Sequence, residues 1–216
     1  SVDSYLAKYS SNGSLIYYKH LFWGNNTEIT QDIVVDENNN LIAVTGVFKD
    51  ELIYYDGGTQ TISAQGPKDQ FVSTFTYDSV FQDIVTFKTS VKKPTFKNIQ
   101  ICAAGGYFIT GDLTGTLYFS ATDSIVEENA NSDALVIRVD DNLDYLWSRK
   151  GGGNGYDHIN SSASDDFGNI YFTGKCETVI TFDSTETLQS HSISGFGAQD
   201  MYIAKYNRDG NLQWVK

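Results

Sequence analysis

The 216-residue chain carries 27 acidic against 15 basic residues, a formal net charge of −12. Acids spread along its whole length repel phosphate backbones and anionic headgroups, which argues against nucleic acid and membrane surfaces as partners; no apolar run approaches the roughly 20 residues of a membrane helix, so no membrane insertion is expected. Aromatics at 14%, with 19 Gly but only two Pro and one Met, favour strands joined by tight turns over helices.

An Asp-led phrase opens the chain: Asp3-Ser-Tyr-Leu-Ala-Lys-Tyr, a turn at Asn12-Gly13, then Leu15 and Tyr17. Period-two alternation on both sides of Asn-Gly predicts a β-hairpin. A third strand then enters the turn Asp36-Glu-Asn-Asn-Asn40, and the strand after it ends in Thr45-Gly46. A glycine at that position predicts a bulge or a close backbone approach. The aromatic pair Tyr54-Tyr55 follows, and a short strand with a Ser/Gly-rich loop leads to the next Asp.

The same order starts again at Asp69, Asp133 and Asp200, at intervals of 66, 64 and 67 residues. The second copy has Tyr77-Asp78-Ser79 in its turn and no glycine, which predicts an irregular hairpin. The third uses Asp140-Asp141-Asn142 and carries Trp147. The fourth matches the first position for position: Tyr202, Ala204 and Tyr206, Asp209-Gly210, then Leu212 and Trp214. Thr110-Gly111 and Thr173-Gly174 repeat Thr45-Gly46. No segment has a helical period. The units therefore span 3–68, 69–132 and 133–199, with a partial unit at 200–216. Each is expected to hold four or five short antiparallel strands that bury their faces on the next unit.

The combination of the Asp-led phrase ending in Leu-x-Trp, an Asp-x-x-Gly-Asn turn (Asp165 to Asn169) and the Tyr-Phe-Thr-Gly strand (Tyr171 to Gly174) resembles the SBBP type of β-propeller repeat. The resemblance covers most of the chain and is poor between Phe71 and Ile101. It implies an all-β, β-propeller-like repeat array, about three blades plus one extra hairpin, and an extracellular or cell-surface setting. It carries over no catalytic residue. Units of 64 to 67 residues exceed the roughly 40–50 of familiar blades, the surplus falling between Thr-Gly and the next Asp. The chain begins and ends at the same phase of the repeat, so an arc of a larger propeller, or one completed by another copy, is expected.

The residues that carry chemistry are few. His20, His158 and His191 lack metal-ligand spacing, and the glycine run at 151–155 lacks the Lys-Ser/Thr end of a phosphate loop. Asp140, Asp141, Asp144, Asp165 and Asp166 are turn formers before they are calcium ligands. No cofactor is expected. Cys102 and Cys176 fall at different phases of the repeat and read as buried thiols, with a bridge as the alternative. Asn12, Asn25 and Asn160 stand in glycosylation sequons.

Asp3, Asp69, Asp133 and Asp200 recur in every copy, which suits a carboxylate accepting backbone N–H groups at each crossing. Lys8, Arg138 and Lys205, at a matching offset that Thr74 breaks, are candidates to pair with those acids. Trp147, Trp214 and Tyr17 share one position and suggest packing between units rather than sugar stacking. The chain reads as a non-catalytic interaction, adhesion or assembly scaffold, its partner a surface protein, a glycan or further copies of itself. The alternative is a glycan-active enzyme whose carboxylates, such as Asp112, Asp123 and Asp157, converge from several units.

Overall fold

In the computed structural model, which describes residues 3–90, 94–128, 131–182, 191–195 and 198–216, every regular element is a β-strand and every pairing is antiparallel. The first unit supplies β1 (Ser4–Tyr9), β2 (Leu15–Phe22), β3 (Thr27–Asp36), β4 (Leu41–Lys49), β5 (Glu51–Tyr55) and β6 (Thr59–Ser63). The second supplies β7 (Asp69–Thr76), β8 (Phe81–Thr89), β9 (Thr95–Ile101), β10 (Tyr107–Leu113), β11 (Thr116–Tyr118) and β12 (Ser124–Val126). The third supplies β13 (Asp133–Val139), β14 (Tyr145–Gly152), β15 (His158–Ser164), β16 (Ile170–Cys176), β17 (Val179–Phe182) and β18 (His191–Ser194). The last phrase gives β19 (Asp200–Tyr206) and β20 (Leu212–Val215). Each complete unit thus has six strands, not four or five, because the surplus stretch after Thr-Gly is a whole hairpin.

The sheets do not follow the units. Sheet I joins β1–β2 to β5–β6 through paired hydrogen bonds between the Trp23 and Ile53 backbones (3.0 and 2.8 Å). Sheet II runs β3-β4-β7-β8-β11-β12, sheet III runs β9-β10-β13-β14-β17-β18, and sheet IV is β15-β16-β19-β20. The Thr-Gly strand enters one sheet, the hairpin after it returns to the sheet before, and the Asp-led hairpin goes forward again. Successive sheets are therefore laced together by the chain itself.

All four Asp-led hairpins share one geometry. The tenth residue after the Asp has positive φ in each: Gly13 (83°), Ser79 (58°), Leu143 (62°) and Gly210 (78°). A register shift follows at one place in all four, between Lys8 and Tyr9, Thr74 and Phe75, Arg138 and Val139, and Lys205 and Tyr206. The glycine-free second hairpin is as regular as the rest. Its Ser79 takes the left-handed conformation that glycine adopts without strain, held by the backbone bond from the Ser79 N–H to the Thr76 carbonyl (2.8 Å).

The Thr-Gly glycines sit opposite a bulge in every copy. Gly46, Gly111 and Gly174 pair with Thr30, Phe96 and Ile159, and the residue after each partner, Gln31, Lys97 or Asn160, is the extra one. A Cβ on these glycines would run into the carbonyl oxygens of Ile29, Thr95 and His158. The bulged strand thus approaches the glycine backbone as closely as it can.

Three apolar cores fill the spaces between sheets. Leu6, Phe22, Phe48, Phe71 and Phe75 lie between I and II, with the Phe22 and Phe71 rings edge to face at 4.8 Å. Val72, Phe96, Ile109, Leu135 and Ile137 lie between II and III, and Phe108, Val136, Phe172, Tyr202 and Tyr206 between III and IV. The hairpin that steps back to the preceding sheet brings an aromatic that stacks on the next sheet: Tyr54 on Phe81 (4.4 Å) and Phe119 on Tyr145 (4.0 Å). This is why an aromatic recurs at that point in the sequence. Gly111→Ala is expected to lower stability by about 1–3 kcal/mol through overpacking, read as a lower urea midpoint with unchanged m; an unaltered midpoint would contradict the close approach.

Candidate functional site

The repeated residues have structural tasks. The Asp69 carboxylate accepts the N–H groups of Thr89 (2.9 Å) and Gln65 (2.7 Å), tying the crossing into its hairpin as the sequence suggests. Among the described residues, Lys8, Arg138 and Lys205 make no ion pair with those acids. Each lies instead over an aromatic ring: Lys8 over Tyr17 and Tyr77, Arg138 over Phe108, Lys205 over Tyr171, 4.8–6.0 Å from the ring centroids. Lys8, Arg138 and Lys205 are paired in register with Tyr17, Phe108 and Tyr171 on the adjacent strand, where the ring's quadrupole attracts the cation. Tyr17 Oη donates to the Tyr77 carbonyl (2.7 Å) and Trp147 Nε1 to the Arg208 carbonyl (2.9 Å). Both acceptors are the eighth residue after the opening Asp of the following sheet, so this aromatic position is a link between sheets.

Two of the acids that differ between units, Asp112 and Asp157, flank His158. Asp112 on β10 accepts Lys97 Nζ (2.7 Å) and His158 Nδ1 (2.9 Å) on one oxygen, while its other oxygen takes the Ile159 N–H (3.3 Å). Lys97 also donates to the Ile159 carbonyl (2.9 Å). The bulge opposite Gly111 is what turns Lys97 toward Asp112, and the cluster fastens β9 and β10 of sheet III to β15 of sheet IV. Ser132 Oγ lies 3.0 Å from His158, also at Nδ1, and donates to the Asp157 carbonyl (3.1 Å). A nucleophilic triad needs the acid on one imidazole nitrogen and the hydroxyl on the other. Here both crowd the same nitrogen, so Ser132, His158 and Asp112 form a structural clasp.

Asp157 is fully buried. Burial, reinforced by the charge of Asp133, pushes its carboxyl up to about 7. Glu28 occupies the equivalent place two residues before the glycine's partner; it too is fully buried, and burial raises its carboxyl. Asp123 lies elsewhere, in the turn between β11 and β12, where its backbone is held by Ser120.

Both cysteines are buried and free, in the core between III and IV, and Cys102 Sγ accepts Arg138 Nε (3.3 Å). The carboxylates of the Asp-rich turns take hydrogen bonds from within the turn or from neighbouring hairpins. Asp140 accepts the N–H groups of Asn142 and Asp144, and Asp141 those of Gly106 and the Asn39 side chain. Asp165, against the penalty of partial burial, is held down at about 2 by Asn169, Tyr171 and Phe167. His20 is exposed on β2, and the His191 side chain lies outside the described residues. Asn12, Asn25 and Asn160 are all exposed.

Sequence reasoning missed a half-open hollow of about 730 Å³ between sheets I and II, lined among others by Trp23, Tyr55, Asp56, Phe75 and Phe81. Its walls come from three hairpins of two units, so no local motif announces it. Tyr55 is 63% exposed at its rim.

Asp157 gives the site a pH signature. A carboxyl raised in the folded state contributes stability that is complete below about pH 4 and lost as pH rises through about 7; Glu28 acts in the same sense. Thermal melts should therefore show stability falling from pH 5 to pH 8. Asp157→Asn should remove much of that fall, making the variant more stable than the parent at pH 8 by roughly 1–2 kcal/mol. Equal destabilisation of the variant at both pH values would contradict this. Separately, Asp112→Ala leaves Lys97 and the Ile159 N–H without their carboxylate and should lower stability by about 2 kcal/mol in urea; a change below about 0.5 kcal/mol would mean that the clasp is only a surface ion pair.

No protein-family model matches the chain, and no curated protein matches it. Among solved structures it is similar to a crystallised protein of unknown function from Bacteroides caccae, at 12% sequence identity and a TM-score of 0.34, over 100% of this chain and 93% of that one.

Proposed function

We propose that the chain is a non-catalytic, extracellular or cell-surface interaction module of β-propeller type, built from SBBP-like repeats, and that it holds a glycan between sheets I and II. The observation that carries the reading is the composition of that hollow. Trp23, Tyr55, Phe75 and Phe81 line it, and Asp56 is its one carboxylate. Aromatic faces bind the C–H faces of sugar rings while a few polar groups fix orientation. Glycoside hydrolysis calls for two carboxylates at a set separation, and this recess has one. Asp157 is fully buried and Asp112 is bound by Lys97 and His158, which leaves neither placed to act on a substrate.

The test is a glycan array read with the intact chain and with Tyr55→Ala, a change at an exposed ring that leaves the fold intact. Binding to a defined set of glycans, weakened at least about tenfold by the substitution, without release of new reducing ends, is the expected result. Either no binding at saturating concentration or reducing-end release that disappears in Asp112→Asn would overturn the reading.

A further inference from the structure

We infer that copies of this chain associate head to tail, the free face of sheet IV in one copy docking on the free face of sheet I in the next. The inference shares the scaffold reading above but uses different surfaces, so each can fail without the other.

The internal junction between sheets III and IV supplies the template. On the sheet III side it presents Ala134, Val136, Arg138, Phe108 and Trp147; on the sheet IV side it presents Tyr202, Ala204, Tyr206, Leu212 and Val215. The register of the Asp-led hairpins converts each set into its counterpart at the ends of the stack. On sheet I, the residues equivalent to Tyr202, Ala204, Tyr206, Leu212 and Val215 are Tyr5, Ala7, Tyr9, Leu15 and Tyr18. Four of the five are the same residue in the same order, Tyr-x-Ala-x-Tyr and then Leu, and all five are apolar or aromatic. In sheet IV the tyrosines are buried at 2% and 0% exposure; in sheet I they stand at 68% and 61%, beside Leu15 at 52% and Tyr18 at 67%.

The opposite end is the matching half. The sheet IV residues equivalent to Ala134, Val136, Arg138, Phe108 and Trp147 are Met201, Ile203, Lys205, Tyr171 and Trp214. Lys205 already lies over Tyr171 (4.8 Å) as Arg138 lies over Phe108 (5.8 Å). Met201 is 88% and Ile203 44% exposed. An exposed apolar set of this size on each end, rimmed by polar turns, marks an interaction surface.

The same register assigns a specific bond. Tyr17 and Trp147 each donate to the carbonyl eight residues after the opening Asp of the next sheet. Trp214 is the equivalent donor on sheet IV, and in a second copy the equivalent acceptor is the Ser11 carbonyl, in the exposed first turn. Front and back are different surfaces, so the contact is heterologous. Repeated, it makes a ring where the rotation closes and a filament where it does not.

The test uses sedimentation velocity and Trp fluorescence on the whole chain, in about 0.15 M salt to screen the −12 charge on each copy. Tyr5→Glu disables the front and Met201→Glu the back, both at positions exposed in the single chain; circular dichroism and the melting temperature check that each variant stays folded. The parent chain is expected to form species beyond the dimer as concentration rises, with a blue shift as Trp214 is covered. Each variant alone is expected to stay monomeric. An equimolar mixture of the two is expected to form a dimer that grows no further, because one intact front meets one intact back. A parent chain that remains monomeric at about 0.5 mM, where even a contact of Kd ~1 mM would be visible, overturns the inference. So does association untouched by either substitution, or a mixture that does not restore the dimer.

Discussion

Sheets II, III and IV are each finished by a unit other than the one that begins it, and the rest of the structure follows from that lacing. β5–β6 leaves the Thr-Gly strand of sheet II to complete sheet I; β11–β12 and β17–β18 do the same one and two sheets on. A hairpin that steps back must cross the strands that step forward. Two local devices recur in all three complete units, a glycine without a Cβ and a bulge opposite it, and at the crossing into sheet II the Asp69 carboxylate accepts the backbone N–H groups of Gln65 and Thr89. The apolar cores then form because the two faces of each sheet alternate along every strand. Phe71, Leu135 and Tyr202 face the sheet before, and Val72 and Val136 the sheet after.

Much of this was legible in the sequence. The Asp-led hairpins, their intervals and the Thr-Gly step follow from period-two alternation and turn chemistry, which are local properties. The link made by Trp147 was legible as a shared position of Tyr17, Trp147 and Trp214. What was not legible depended on neighbours distant in the chain. Six strands per unit were undercounted because the returning hairpins are short and polar on the outside. Ser79 looked like a break in the second hairpin, since propensity alone does not reveal a left-handed residue held by its turn. Lys8, Arg138 and Lys205 were matched to acids because sequence spacing says nothing about which ring lies across the sheet.

The candidate site divides in the same way. Asp112, Asp123 and Asp157 were picked out as carboxylates that could converge; Asp112 and the Asp157 carbonyl meet around His158 and Ser132 in a clasp between sheets III and IV, while Asp123 lies apart in the β11–β12 turn. Lys97, the residue that completes it, was missed; its signal is the bulge position opposite the Thr-Gly glycine, shared with Gln31 and Asn160. The hollow that carries the functional reading is built from several hairpins and has no sequence signature of its own. The two outer faces carry residues equivalent to those of the interior faces but are exposed, and that is visible only once the register of all four hairpins is known.

The lacing makes a direct demand on cooperativity, since each sheet shares an apolar core and a chain crossing with its neighbour. Trp23 reports the junction of sheets I and II and Trp147 that of III and IV. Urea unfolding of two chains, each keeping just one of these tryptophans and Phe at the other positions, should give fluorescence transitions that coincide with each other and with the loss of far-ultraviolet circular dichroism in the same chain, once small differences in variant stability are measured. A Trp23 transition clearly separated from the circular dichroism of its own chain, with Trp147 following only the later phase, would mean that the sheets unfold as independent units and would contradict the account.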